Sequence, residues 1–138
     1  MTFLIRARLT RFVARSRTAR FTPAKIERLL ADPAIVRNRL KVESAVNNAK
    51  RVLEVRRDVG SLDAYLWSFV GGRPIVGAWA SMMDIPASTA ESVAMSKDLK
   101  EHGFSFVGTT IVYAFMQACG MVDDHLLSCW RRADRPAR

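Results

Sequence analysis

His125 and Cys129 stand four residues apart near the C-terminal end of the chain, the spacing that puts two side chains on one face of a helix. Both residue types bind zinc, so HLLSC reads as two ligands of a metal site if the segment after Asp124 is helical. A structural zinc takes four ligands, and the other histidine and cysteine are His102 and Cys119. No spacing shows that these converge with the first pair. A lone His-x-x-x-Cys is more often a coincidence of a small helix.

The second stretch with chemistry is GFSFVGTT, residues 103–110. Its glycine spacing matches the phosphate loop of nucleotide hydrolases, but Thr109 occupies the lysine position and a helical pattern, not a strand, precedes Gly103. The spacing suits a helix-hairpin-helix better: a tight turn lets backbone N–H groups and the next helix's N-terminus approach a DNA phosphate. Gly103, Phe104, Ser105, Phe106, Val107, Gly108, Thr109 and Thr110 are then the candidate DNA-binding residues. Thr109 or Thr110 is the expected cap of the following helix, and Lys97 and Lys100 add charge one turn before the loop. On spacing alone an ordinary αα-hairpin, with Phe104, Phe106 and Val107 filling the core, is the preferred reading, and the balanced charge of the body argues the same way.

The elements that position these residues follow from periodicity and caps. Thr22 and Pro23 open a helix with Ile26, Leu29 and Leu30 on one face, and Asp32-Pro33 repeats the signal. Val42, Ala45, Val46, Ala49, Val52 and Leu53 mark a longer helix that stops before Gly60. Its Lys50, Arg51, Arg56 and Arg57 read as a solvated face. Ser61 starts a helix with Leu62, Tyr65, Leu66 and Phe69 inward, closed by Gly71 and Gly72. Arg73 to Ala87 reads as a wrapping loop, and Ser88-x-x-Glu91 as a capping box for a helix ending at Gly103. The predicted fold is all-α, a helical bundle with a helix-hairpin-helix motif.

With 138 residues, 49% of them hydrophobic, the chain suits one domain. The net charge of +9 sits at the ends: residues 1–20 hold six arginines and no acid, and residues 131–138 hold four arginines against Asp134. Residues 21–130 are therefore balanced, so the basic composition says little about the folded body. The sequence divides into a basic segment 1–20, a domain 21–130 and a basic tail 131–138. The first twenty residues suit an amphipathic surface helix, a transit peptide or the out-of-frame translation of a misplaced start, the last being preferred. The apolar run Ile111 to Val122 is shorter than the ~20 residues that span a bilayer, so no membrane partner is expected. Two cysteines and no visible signal peptide suit a reducing, cytoplasmic setting.

SFVGTTIVYAFMQACGMVDDHLLSC, with STAESVAMSKDLKEHGF, WSFV and IVRNRLKVESAVNNAKRVLEV, closely resembles the DNA-3-methyladenine glycosylase I family from about Phe21 to about Cys129. The resemblance implies an all-helical base-excision-repair enzyme that binds double-stranded alkylated DNA through the hairpin and cleaves the N-glycosidic bond of 3-methyladenine. In that family a glutamate and stacked aromatics near the N-terminus hold the base. A zinc is held by an N-terminal Cys and His with a C-terminal His and Cys, and His125 and Cys129 match the latter pair. Residues 1–20 contain no Cys, His, Asp, Glu, Trp or Tyr, so catalytic positions cannot be assigned. The expectation is a glycosylase lacking its N-terminal part and of doubtful activity; the alternative is a noncatalytic DNA-binding remnant.

Overall fold

The computed structural model describes residues 17–132. Its helices are α1 (Pro23–Ala31), α2 (Arg39–Val59), α3 (Leu62–Ser68), α4 (Ala90–Glu101) and α5 (Thr109–Ala118). Short 3-10 turns lie at Thr18–Arg20 and Met82–Asp84, and two-residue strands β1 (Ile75–Val76) and β2 (Val122–Asp123) pair in parallel. The architecture is mostly helical, as the periodicity requires.

Local chemistry explains most boundaries. Thr22 accepts from the Lys25 N–H ahead of Pro23, and Ser61 accepts from the Ala64 N–H, so both expected caps form. Asp32-Pro33 does not start a helix: the Asp32 carboxylate accepts from the Ala34 N–H at 2.9 Å and makes a turn. The next helix waits for Asn38, which accepts from the Lys41 N–H. Arg39 then grips the Glu27 carboxylate at 2.7 and 2.9 Å, fastening α2 to α1. The capping box of α4 forms one residue later than Ser88-x-x-Glu91, between Thr89 and Ser92. There the Ser92 hydroxyl also donates to the Thr89 carbonyl, which a glutamate cannot do. Thr89→Ala should lower stability by about 1 kcal/mol, read as a shift in the urea midpoint at constant slope.

The core lies where α2, α3, α4 and α5 meet. Val52, Val55, Leu62, Leu66, Trp67, Leu99 and Val112 pack around Met95, Met116 and Met121, which are essentially inaccessible. Unbranched methionines fill the irregular space between crossing helices. Phe69 only borders this core. The segment from Arg73 to Ala87 wraps the body as expected, but it also carries β1, whose register sets Ile75 against Val122 and Val76 against Asp123.

Candidate nucleic-acid interface

Residues 102–108 join α4 to α5, and the two helices pack along each other. Gly103 takes φ +76, a backbone conformation that favours glycine, and a Cβ there would stand 3.2 Å from the Arg51 Cδ, close enough that the arginine side chain would have to give. Phe104 and Val107 pack against the core, whereas Phe106 stands at the turn, 52% exposed, with φ 57. Neither Thr109 nor Thr110 caps α5. Gly108 holds the N-cap position without a side-chain bond. As a result, the backbone N–H groups of residues 106–111 have no hydrogen-bond partner among the described residues. Those of residues 109–111 are the free first-turn donors of α5, at the positive end of its dipole.

Two asparagines that periodicity passes over hold this turn. Asn47 donates to the Gly103 carbonyl at 2.8 Å and to the Ser105 hydroxyl at 3.2 Å. Asn48 donates to the Ser105 carbonyl at 2.9 Å while its own carbonyl accepts from the Ser105 N–H at 2.8 Å. Ser96, buried on α4, donates to the Val107 carbonyl at 2.5 Å. A sequence signal existed: adjacent asparagines inside a long helix lower its propensity and so ask for a task.

Lys97 and Lys100 are exposed on α4, and Lys97 lies 4.0 Å from Glu101, an exposed pair worth little. Arg51 departs from the expected solvated face: it is half-buried, pairs with Glu54 at 2.8 Å and has an unpartnered, buried Nε. His102 does not join the other metal-binding residue types. Its Nδ1 lies 3.1 Å from an Asp98 oxygen, and the ring meets Tyr65 edge-on at 5.6 Å. The Tyr65 hydroxyl donates to the same Asp98. Burial first, then this bond, pushes the Tyr65 hydroxyl far above its usual range.

Beside the hairpin an open recess of about 390 Å³ is lined by Phe104, Phe106, Phe115 and aliphatic side chains of α2, α3 and α5. Among the described residues, Thr18 and Asn48 are its polar lining residues and no carboxylate borders it. Such a surface can stack or exclude water; it offers no acid or base.

His125 and Cys129 both border a second, larger recess, which also includes Cys119. They do not share a helix face. Beyond β2 the chain is tied back to the loop before α4: the Leu127 N–H donates to the Trp79 carbonyl at 2.9 Å, and Arg132 donates to the Gly77 carbonyl at 2.6 Å. The Asp123 carboxylate meets both the His125 N–H and its Nδ1, at 3.1 and 2.5 Å, which closes a turn where the helix was expected. Asp124 accepts from Trp79 Nε1 at 2.7 Å, the Tyr113 hydroxyl at 2.6 Å and Gln117 Nε2 at 2.7 Å. Among the described residues no three His, Cys, Asp or Glu side chains gather to hold a metal. His125, oriented by Asp123 with Nε2 remaining, has the form of a zinc ligand, yet the donors among the described residues do not complete a zinc site. Accordingly, chelator treatment should leave the thermal midpoint unchanged, and metal analysis of purified protein should find well under one zinc per chain.

No helix among the described residues is long and apolar enough to cross a membrane. A family model for methyladenine glycosylases matches residues 5–132, so the match extends into the basic N-terminal segment. The chain is 44% identical over 104 residues to DNA-3-methyladenine glycosylase 1 of Escherichia coli (strain K12), covering 75% of this chain and 56% of that protein. Against DNA-3-methyladenine glycosylase of Haemophilus influenzae it is 40% identical over 111 residues, covering 80% of this chain and 60% of the relative. It thus spans less than two thirds of the length of these curated relatives. Among solved structures, a 3-methyladenine DNA glycosylase I superposes with a TM-score of 0.81 at 39% identity, over 95% of this chain and 74% of that one. The Staphylococcus aureus enzyme, solved to explain 3-methyladenine recognition, gives 0.83 at 31% identity, over 98% and 74%. The hairpin, the helices that carry it and these matches place the chain in the methyladenine glycosylase family.

Proposed function

We propose that this chain serves base excision repair as a DNA-3-methyladenine glycosylase, holding double-stranded alkylated DNA by its backbone and hydrolysing the N-glycosidic bond of 3-methyladenine. The observation that carries the reading is the run of unpartnered N–H groups at residues 106–111, displayed by the turn between α4 and α5 in a chain of this family. A phosphate oxygen accepts from such groups without regard to base sequence, as a protein that searches any duplex requires. Gly103 through Thr110 form the contact surface, and Lys97 and Lys100 supply the cations.

The substrate's own chemistry lightens the task. Methylation at N3 leaves the base cationic, so the bond's electron pair departs with a good leaving group while water adds at the sugar carbon. The protein then needs chiefly to extrude, grip and orient the base. Support comes from a related 3-methyladenine DNA glycosylase I whose Tyr-to-Phe variant was solved in complex with 3-methyladenine. His125 and Cys129 could be only two ligands of a zinc whose further donors are not gathered among the described residues, so the reading does not depend on the metal and no step of base release runs through it. The two free thiols suit a reducing cytoplasm.

One observation favours a second reading, DNA binding without catalysis: among the described residues, none that lines the apolar recess beside the hairpin is a carboxylate. Purified chain incubated with methylated duplex separates the two. Release of free 3-methyladenine above the spontaneous rate is the expected result. Folded protein that binds the duplex and releases none would leave the noncatalytic reading in its place.

A further inference from the structure

We infer that Asn47 and Asn48 are positioning residues that hold the hairpin in its DNA-binding shape, an inference that rests on the DNA-binding reading above. Phe106 occupies the left-handed region at φ 57, where a bulky side chain is disfavoured and glycine is the usual occupant. A conformation of that kind persists only where its neighbours over-determine it. Here the chain is fastened on both sides. Upstream, Asn47 and Asn48 make four hydrogen bonds of 2.8–3.2 Å to Gly103 and Ser105. Downstream, Ser96 holds the Val107 carbonyl. Phe106 lies between the two fastenings, and its N–H begins the unpartnered run that ends at Ile111.

The asparagines come from α2, more than fifty residues away in sequence, so the turn's shape is imposed from outside the hairpin. Without them Phe106 relaxes toward negative φ, which reorients its neighbouring N–H groups. Affinity for a phosphate then falls in proportion to the fraction of turns that keep the competent shape. If that fraction drops to about a tenth, the apparent Kd rises about tenfold.

The test is a double-mutant cycle, read by fluorescence anisotropy with a labelled duplex oligonucleotide on variants that melt cooperatively. Asn48→Ala should weaken binding about tenfold, with the slope of log Kd against log salt unchanged because an amide neutralises no phosphate. In a Phe106→Gly background the same substitution should cost less than about twofold, since glycine adopts the left-handed backbone unaided. A merely structural role for Asn48 would carry the same penalty in both backgrounds, and that result overturns the proposal. So does Asn48→Ala binding like wild type. Where Asn48→Ala fails to fold, Asn47→Ala, which keeps the reciprocal Asn48–Ser105 pair, runs through the same cycle with an expected loss of about threefold. A wild-type chain that binds no duplex at low salt sinks the DNA reading itself and this inference with it. A wild type that binds, beside clamp variants that bind equally well, sinks the clamp alone.

Discussion

Replacing Asp124 by alanine is expected to remove about 3 kcal/mol of stability, because three donors converge on its carboxylate and two of them come from aromatic side chains packed in the body. Tyr113 is 3% exposed, so its hydroxyl has no ready replacement in water. Trp79 anchors the loop before α4, and Asp124 follows β2 directly, so the carboxylate ties loop, strand and α5 together. Hydrogen bonds to an ionised acceptor contribute about 1.5–3 kcal/mol each, and a donor stranded in the interior costs about 1–3 kcal/mol. Not all of this is lost, since Gln117 is exposed and rehydrates. Against a total of roughly 5–15 kcal/mol the loss is large. Urea unfolding of Asp124→Ala measures it; a change below about 1 kcal/mol would show that the junction repacks without its acceptor.

Alkali should destabilise the fold steeply, through the same buried hydroxyls. Burial, reinforced by Asp98, drives the Tyr65 hydroxyl far above its ordinary value, and burial with Asp124 does the same for Tyr113. Burial alone pushes the Cys119 thiol up to about 11. All three shifts are upward, so the folded state favours the neutral form. Their contribution is complete below the unfolded values, near 8.5–9 for the thiol and about 10 for the phenols. It is lost as pH rises from there toward the folded values. In that window each group costs up to about 1.4 kcal/mol per pH unit. Thermal midpoints should therefore fall with increasing slope between pH 9 and pH 11, flags of onset set by those reference values at about 9 and 10. The Tyr65→Phe/Tyr113→Phe variant should be less stable at neutral pH but have a shallower alkaline limb. Parallel limbs for the two proteins would mean that the tyrosines ionise alike in both states.

Much of the fold was legible because it is written locally. Thr22, Ser61, Gly60 and Gly103 each mark a boundary through a bond or conformation made within a few residues, and the apolar spacing of α2 needs no distant partner. The membership of a known family was legible too, from the wording of the hairpin and α5. What local pattern missed was decided at long range. Asp32-Pro33 carries the same signal for a turn as for a helix start, and Asp32's own side chain settled it. The segment after Asp124 has helical spacing, but bonds to Gly77 and Trp79 hold it open, so His125 and Cys129 share a recess instead of a helix face. Asn47 and Asn48 look like an ordinary polar face until Gly103 and Ser105 are brought against them. Thr109 and Thr110 suit a cap by type, yet Gly108 takes the position and leaves the N–H groups open.

Whether the hairpin grips DNA is tested most directly by the salt dependence of duplex affinity for wild type and for Lys97→Ala/Lys100→Ala. The expected result is a Kd that rises steeply with salt for wild type, and a slope of log Kd against log salt lowered by about 2 in the double variant as two phosphate contacts are removed. A wild-type chain with salt-insensitive or undetectable duplex binding, or a double variant with an unchanged slope and affinity, would contradict it.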